Sequence, residues 1–337
     1  MLTLAIRRLM AALPSLVGVV IVTFLLTRAL PGDPAAYFAG PAATVQAIEE
    51  VRQRLGLDQP LWVQFGNYIG DLVRGDFGTS LSTGQPVGFE LATRLPASAE
   101  LTLLGLLLAV VIAVPAGMVA ATRPNGWFDQ AVRVTATAGV SLPTFFTGLL
   151  LVYVFYYILG WAPAPLGRLD IFYTAPPHIT GFYTLDALLI GDAETFLQAL
   201  SQLVLPALTL GIFALAPLAR ITRGAMLEVL GSDYIRTARA AGLTPTRILI
   251  VYGFRNAILP VLTVLGMVLS FLLGANVLVE KVFAWPGIGS FAVEALVASD
   301  YAPVQGFVLT MAVLYVGLNL AIDLAYGLLD PRVRIES

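Results

Sequence analysis

The chain has 337 residues, 58% of them hydrophobic and only 12% charged, with a mean hydropathy of +0.85. Those values lie outside the range of soluble domains, and a net charge of −2 gives no global attraction to nucleic acid. With no cysteine and a single histidine, His178, the chain excludes disulfides, iron–sulfur clusters, thiol catalysis and any site built from several histidines.

Six apolar runs approach the ~20 residues that cross a bilayer. They lie near residues 9–29, 97–121, 132–159, 197–219, 257–279 and 304–328. The first follows Arg7 and Arg8, as a signal peptide would, but it is too long for a typical apolar core and no small-x-small site closes it. It reads as an uncleaved span. Residues 1–30 are therefore an N-terminal region with the first span, residues 31–95 an extracytoplasmic segment, and residues 96–337 a core of five further spans. In the outer segment, Val45, Ile48, Val51 and Leu55 recur at helical spacing before Gly56, and Trp62 to Leu72 reads as a second helix.

The second run carries Gly105, Ala109, Ala113, Gly117 and Ala121 at strict four-residue spacing. Small faces let helices approach closely in lipid, so this stripe is a packing seam, within the chain or against a second membrane subunit. After the third run comes an outer insertion, about 160–196, rich in proline and aromatic residues; a loose loop and a packed cap both fit it. Prolines 14, 115, 143, 206, 217 and 260 fall in or near the runs and bend them or free backbone carbonyls.

Arginines orient the spans. Arg7, Arg8, Arg123, Arg133, Arg220, Arg223, Arg236, Arg239, Arg247, Arg255, Arg332 and Arg334 all fall on one side, which the positive-inside rule makes cytoplasmic. The opposite segments carry Asp33, Glu49, Glu50, Asp58, Asp71, Asp76, Asp170, Asp186, Asp192 and Glu194. Both termini are then cytoplasmic. The expected fold is an all-α polytopic membrane protein of about six transmembrane helices.

Catalytic constellations are missing. The only lysine, Lys281, follows Glu280, so there is no Walker A loop. Gly139-Val140-Ser141-Leu142-Pro143 fails the nucleophile elbow at its last residue. Gly287-Ile288-Gly289-Ser290-Phe291-Ala292 matches GxGxxA without the strand that a dinucleotide site needs. Polar residues in or near the spans are few: Asn276, Asn319, Asp323, Arg28 and Glu100. Asp323 reads as a partner for Arg332 rather than as a proton relay.

The loop at about 220–256, between the fourth and fifth spans, holds the most specific signal. Ser232 or Asp233 can N-cap a short helix, and Gly242 can close it in the left-handed conformation. Thr244 can cap a following helix with Pro245 at its first position. Tyr234, Ala238 and Ala241 then share one face, with Arg236 and Arg239 on another. Such a helix either lies on the lipid surface with snorkelling arginines or docks on a cytoplasmic partner.

The loop resembles the coupling motif of type I ABC importer membrane subunits, in their dipeptide/oligopeptide branch. Arg236-Thr237-Ala238 stands where that family has Glu-Ala-Ala, followed by Gly242-Leu243 and by Asn256-Ala257-Ile258-Leu259-Pro260. Gly56-Leu57-Asp58-Gln59-Pro60 and Gly75-Asp76-Phe77-Gly78-Thr79-Ser80 are similar to the branch's outer segment. Val282-Phe283-Ala284-Trp285-Pro286-Gly287-Ile288-Gly289 is similar to its outer loop after span five, and Leu329-Asp330-Pro331-Arg332-Val333-Arg334 to its C-terminal end.

The resemblance implies a permease without its own ATPase site. It implies a heterodimer with a second permease and two cytoplasmic subunits that bind ATP and magnesium, so this chain carries no cofactor and no metal. Asp233, Tyr234, Arg236, Ala238, Arg239, Ala241, Gly242, Leu243 and Pro260 would couple it to the ATPases. Asp58, Asp76, Phe77, Trp285, Pro286 and Gly287 would meet an extracytoplasmic binding protein. Peptides are the expected cargo; nickel chelates, opines, glutathione and oligosaccharide-like substrates move through the same branch. A secondary transporter or channel is the reading from a different class, and it would need charges inside the membrane.

Overall fold

A computed structural model describes residues 2–29, 33–40 and 42–329. The C-terminal motif beyond Leu329, including Arg332 and its expected pairing with Asp323, lies outside the described residues. Among those residues every regular element is helical; the nearest approach to a sheet is an isolated antiparallel bridge between Thr79 and Pro86. The helices run α1 (Leu2–Ala29), α2 (Pro34–Ala39), α3 (Val45–Arg54), α4 (Leu61–Val73), α5 (Val87–Thr122), α6 (Trp127–Ser141) and α7 (Thr144–Leu151). After a π-helical stretch at Val152–Ile158 come α8 (Tyr183–Ile190), α9 (Ala193–Leu230), α10 (Asp233–Ala240) and α11 (Pro245–Arg247). A second π-helical stretch, Ile248–Phe254, leads into α12 (Arg255–Val282), followed by α13 (Ile288–Val297) and α14 (Tyr301–Leu329).

Five helices are long and apolar enough to cross a membrane, and a bent pair makes a sixth candidate. The single span expected at 132–159 is corrected by that pair. Its two arms, Trp127–Gly139 and Thr144–Ile158, meet at 104°. Leu142 is extended (φ −101°, ψ 136°) because the Pro143 ring that follows disfavours helical geometry there.

The fourth span is also longer than expected, running to Leu230, so Arg220 and Arg223 belong to a helix rather than to a loop. Asp192 caps its start, accepting from the Thr195 amide (3.0 Å) and the Thr195 hydroxyl (2.6 Å). Helix α5 begins at Val87, inside the segment expected to be extracytoplasmic over 31–95. The Glu90–Arg94 pair (2.8 Å), one turn apart, supports that first polar stretch of helix.

The chain divides into two compact units. One contains Ala99–Trp285 and the described residues from Gly317 on, and α9 is its axis. In α9, 61% of the most apolar window is buried within the chain, against 12% for α1 and 6% for α14. Helices α6, α7, α8 and α12 all pack on it. The small-residue stripe of α5 is buried here too, with Ala109 and Ala113 at 0% and 1% exposure. A Cβ on Gly105 would lie 2.9 Å from Leu210 Cβ, and one on Gly117 would lie 2.8 Å from the Ala219 carbonyl. The seam is therefore internal, between α5 and α9.

The other unit contains Ile6–Ser98 and Pro286–Val316. Its core gathers Val87, Leu91, Ile288 and Phe291, with Phe77 and Ala302 packed against them. Asp300 is fully buried and ties the loop after Gly78 to α14, accepting from the Ser80 hydroxyl (2.7 Å) and the Ser82 amide (3.0 Å).

Candidate functional site

Helix α10 is two turns long and amphipathic in an unusual sense. Its buried edge is only Ile235 (0% exposed) and Ala238 (7%), seated on Leu230, Leu243, Ile248 and Tyr252. Six of its eight residues are exposed, Asp233, Tyr234, Arg236 and Arg239 among them. The expected face of Tyr234, Ala238 and Ala241 is corrected accordingly. Ala238 turns inward, while Tyr234 and Ala241 face outward. The i, i+3 pair Ile235 and Ala238 carries the apolar contact, because it faces the underlying helices one turn apart.

The helix ends as the sequence requires. Gly242 has φ +74°, its amide donates to the Arg239 carbonyl (3.0 Å), and the Leu243 amide donates to the Ala238 carbonyl (3.3 Å). At the start, Ser232 holds the N-cap position, but its hydroxyl donates backwards to the Val229 carbonyl (2.6 Å) instead of accepting from the helix. That corrects the expected side-chain cap. Thr244 likewise precedes Pro245 without a side-chain cap bond. The Asp233–Arg236 pair (3.2 Å) is open to solvent and adds little stability.

Two features make the platform under α10 stiff. The π-helical stretch after α11 frees the Tyr252 carbonyl, which accepts from the Asn256 side chain (2.8 Å) and the Tyr234 hydroxyl (3.4 Å). Nearby, Arg223 of α9 forms a two-bond pair with Asp129 of α6; its Nη2 lies 2.7 Å from Oδ2, and its Nε donates to Oδ1. The Asn125 amide also donates to that carboxylate (2.8 Å). Helices α9, α6 and the α5–α6 loop are thus joined. A cavity of about 720 Å³ is lined by the end of α5 with the loop after it, the last turn of α9, Arg239 of α10, and Leu243, Pro245 and Leu249. Pro260 sits inside α12, two turns from these groups.

On the other side of the same unit, the insertion at 160–196 is a packed cap. Arg168, 7% exposed, pairs with Glu100 of α5 (2.6 Å) and donates to the Gly181 carbonyl (2.7 Å). Its guanidinium lies 3.4 Å from the Tyr183 ring centroid. The Thr184 amide and hydroxyl donate to the other Glu100 oxygen (2.9 and 2.5 Å). Asp186 is fully buried and accepts from the Thr180 hydroxyl and from the amides of Ile179, Thr180 and Gly181. Burial pushes its carboxyl up, but these donors outweigh burial and hold it below the usual carboxylate range.

The outer-loop candidates divide. Asp58, Asp76 and Pro286 are exposed, with Asp76 accepting from the Gly78 amide (2.8 Å). Trp285 (1% exposed) and Gly287 are buried, and Phe77 is half-buried against the Val87, Leu91, Ile288 and Phe291 cluster. Sequence reasoning missed Ile235, Asp129 and Arg168. Only Ile235 had a readable signal, its helical spacing to Ala238. In α12, Asn276 donates to Glu280 one turn on (2.9 Å), both buried. No group of three or more acidic or histidine side chains gathers among the described residues to hold a metal.

Residues 113–335 match the family described as binding-protein-dependent transport system inner membrane component. Residues 1–102 match the N-terminal part of such a membrane component. The probable D,D-dipeptide transport system permease protein of Escherichia coli is 48% identical over 316 residues, 94% of this chain and 93% of that protein. The di/tripeptide transport system permease protein of Pseudomonas aeruginosa is 44% identical over 335 residues, 99% of each. The glutathione transport system permease protein of Escherichia coli is 39% identical over all of both chains. Among solved structures, a chain of the inward-facing MetNI methionine ABC transporter superposes with a TM-score of 0.52 at 17% identity, over 70% of this chain and 93% of that one. That likeness is one of fold.

Proposed function

The chain belongs to the binding-protein-dependent transport system inner membrane component family, and from that premise we infer that it is the peptide-translocating permease of an ATP-driven importer. It is a multi-pass protein of the cytoplasmic membrane. The observation that carries the coupling role is the exposure of α10: six of eight residues point away from a firm Ile235–Ala238 underside. A surface helix held this rigidly suits insertion into a groove of an ATP-binding subunit, where closure on ATP would move it as a lever. ATP and magnesium then sit in two partner subunits, a second permease completes the pathway, and an extracytoplasmic binding protein delivers the cargo. Short peptides are the cargo because relatives spanning nearly the whole chain carry D,D-dipeptide, di/tripeptide and glutathione in their names, and glutathione is itself a short peptide.

The test is ATP-dependent uptake of labelled dipeptide into proteoliposomes holding the complex co-purified with this chain. Gly242→Val is the diagnostic change. Nothing in the chain lies within 4 Å of the new Cβ, so helix packing survives, while φ +74° is strained for valine by about 1–2 kcal/mol. Uptake should fall at least tenfold with insertion intact, and Gly242→Asn should retain most of it. Full uptake by Gly242→Val, or co-purification of a homo-oligomer with no ATPase, would overturn the reading.

A further inference from the structure

A second cavity lies within the unit that holds Ile6–Ser98 and Pro286–Val316. At about 570 Å³ it falls within the roughly 300–1,000 Å³ of small-molecule sites. One wall is α1 from Ser15 to Leu26, and Leu296 of α13 with Val304 and Val308 of α14 forms the rest. The lining holds no charged side chain. Gly18 leaves it open, since nothing in the chain lies within 4 Å of a Cβ built there. Val22, Leu26 and Leu296 remain 53%, 60% and 47% exposed, so the cavity is open rather than sealed inside the unit.

Helix α1 fixes its depth. The apolar span there is Ile6–Leu26, 21 residues, which is one crossing of the ~30 Å hydrocarbon core. Arg7 and Arg8 put its start on the cytoplasmic side, so Leu26 stands at the outer boundary. A cation and aromatic rings mark the same level, as they do at membrane surfaces. The Arg28 guanidinium lies 4.1 Å from the Phe24 ring centroid and donates to Gln64 (3.3 Å), and Phe24 meets Phe65 of α4 edge-on. From Ser15 to Leu26 is eleven residues, about 16 Å of helix. The cavity therefore runs from the outer surface to the bilayer midplane, the depth of one leaflet at about 15 Å.

That length selects the occupant. A transmembrane helix of a partner crosses the whole core and would need a groove that continues below Ser15. A soluble ion or peptide would meet no charged group here. An acyl chain of the outer leaflet begins at the surface and ends at the midplane, as the cavity does. An empty cavity would leave its walls without dispersion partners, whereas a chain in it touches three helices at once.

We propose that this cavity holds one acyl chain of an outer-leaflet phospholipid, its ester end by Leu26 and its methyl end by Ser15. The chain fills the space that Gly18 leaves and fastens α1 to α13 and α14. The site rests on the membrane topology and is independent of the transported substrate.

The experiment is photo-cross-linking of the whole complex in phosphatidylethanolamine vesicles doped with phosphatidylethanolamine that carries a diazirine in one acyl chain. The complex is exchanged into detergent before irradiation, so that loosely held lipid is lost, and the adducts are mapped by peptide mass spectrometry. A diazirine next to the ester should label Leu26 or Val22, and one next to the terminal methyl should label Ser15 to Val19. Val17, which is 55% exposed but outside the lining, should be labelled several-fold less. Gly18→Leu puts a side chain into the open space and should lower the yield on α1 several-fold while the complex still assembles. Equal yields at Val17 and in the lining would reduce the contact to ordinary bilayer lipid and overturn the proposal. No adduct in the lining, as when another protein chain fills the cavity, overturns it as well. So does an undiminished yield in Gly18→Leu. The reverse order, with the methyl end at Leu26, would refute the outer-leaflet assignment.

Discussion

Gly117→Ala tests the seam on which the larger unit is assembled. A Cβ there would lie 2.8 Å from the Ala219 carbonyl oxygen, 2.8 Å from Thr222 Cβ and 3.1 Å from the Arg223 amide nitrogen. Ordinary carbon contacts lie near 3.5–4.0 Å, so the new methyl intrudes by roughly 0.7 Å or more. Two of the three neighbours are backbone atoms of α9 and cannot rotate away. Helix α5 must shift instead, and with it the α5–α6 loop that holds Asp129 against Arg223. Overpacking of this kind costs about 1–3 kcal/mol, and the backbone neighbours put Gly117→Ala toward the upper half of that range. Gly224→Ala on α9 is the control. Nothing lies within 4 Å of its Cβ, so it should gain about 0.5–1 kcal/mol from the better helix former. Equilibrium unfolding of the purified chain in mixed micelles, followed by circular dichroism against the mole fraction of denaturing detergent, reads both. The midpoints should move in opposite directions. Gly105→Ala, whose Cβ would meet Leu210 Cβ at 2.9 Å, should add to Gly117→Ala, because about 18 Å of helix separates the two sites. A Gly117→Ala protein as stable as wild type would refute the close approach of α5 and α9.

Two further predictions concern the outer cap. Arg168→Met leaves the buried Glu100 carboxylate without its cation and should cost about 3–5 kcal/mol, seen as rapid proteolysis within residues 160–196; Glu100→Leu combined with Arg168→Met should recover much of that protection. For Asp186 the folded carboxyl is held below its ordinary value of 3.8. Its contribution is therefore complete above about pH 4 and is lost as pH falls below that value, so protection of the Ile179–Gly181 amides, taken relative to the intrinsic exchange rate at each pH, should fall on acidification. Asp186→Asn should show fast exchange already at neutral pH and little further change with acid; unchanged protection in this variant would remove the carboxylate from the account.

Much of the architecture is legible in the residues. Apolar runs of bilayer length, a majority of the arginines on one side and a Gly242 stop need no tertiary information, because each follows from local length, charge or backbone freedom. The break at Leu142–Pro143 was equally present in the sequence, yet the apolar run hid it: hydropathy averages over a bend that a ring clash imposes at one residue. Helix α9 was read too short for the opposite reason. Arg220 and Arg223 look like loop residues until Asp129, 94 positions away, supplies the partner that lets Arg223 sit in a helix.

Contacts between distant residues were out of reach of the sequence. Small residues every fourth position announce a close approach, but only the tertiary structure shows that α9 of the same chain provides the other side. Glu100 and Arg168 appear in sequence as unrelated charges, and burial makes them one pair that turns a proline-rich insertion into a cap. The α10 helix was written in its Gly242 stop, whereas the edge it buries was decided by Ile248 and Tyr252 beneath it. Local sequence determines where a helix begins, ends and enters the membrane. Which face it hides depends on the shape and charge of whatever packs against it, and that is a property of the folded chain.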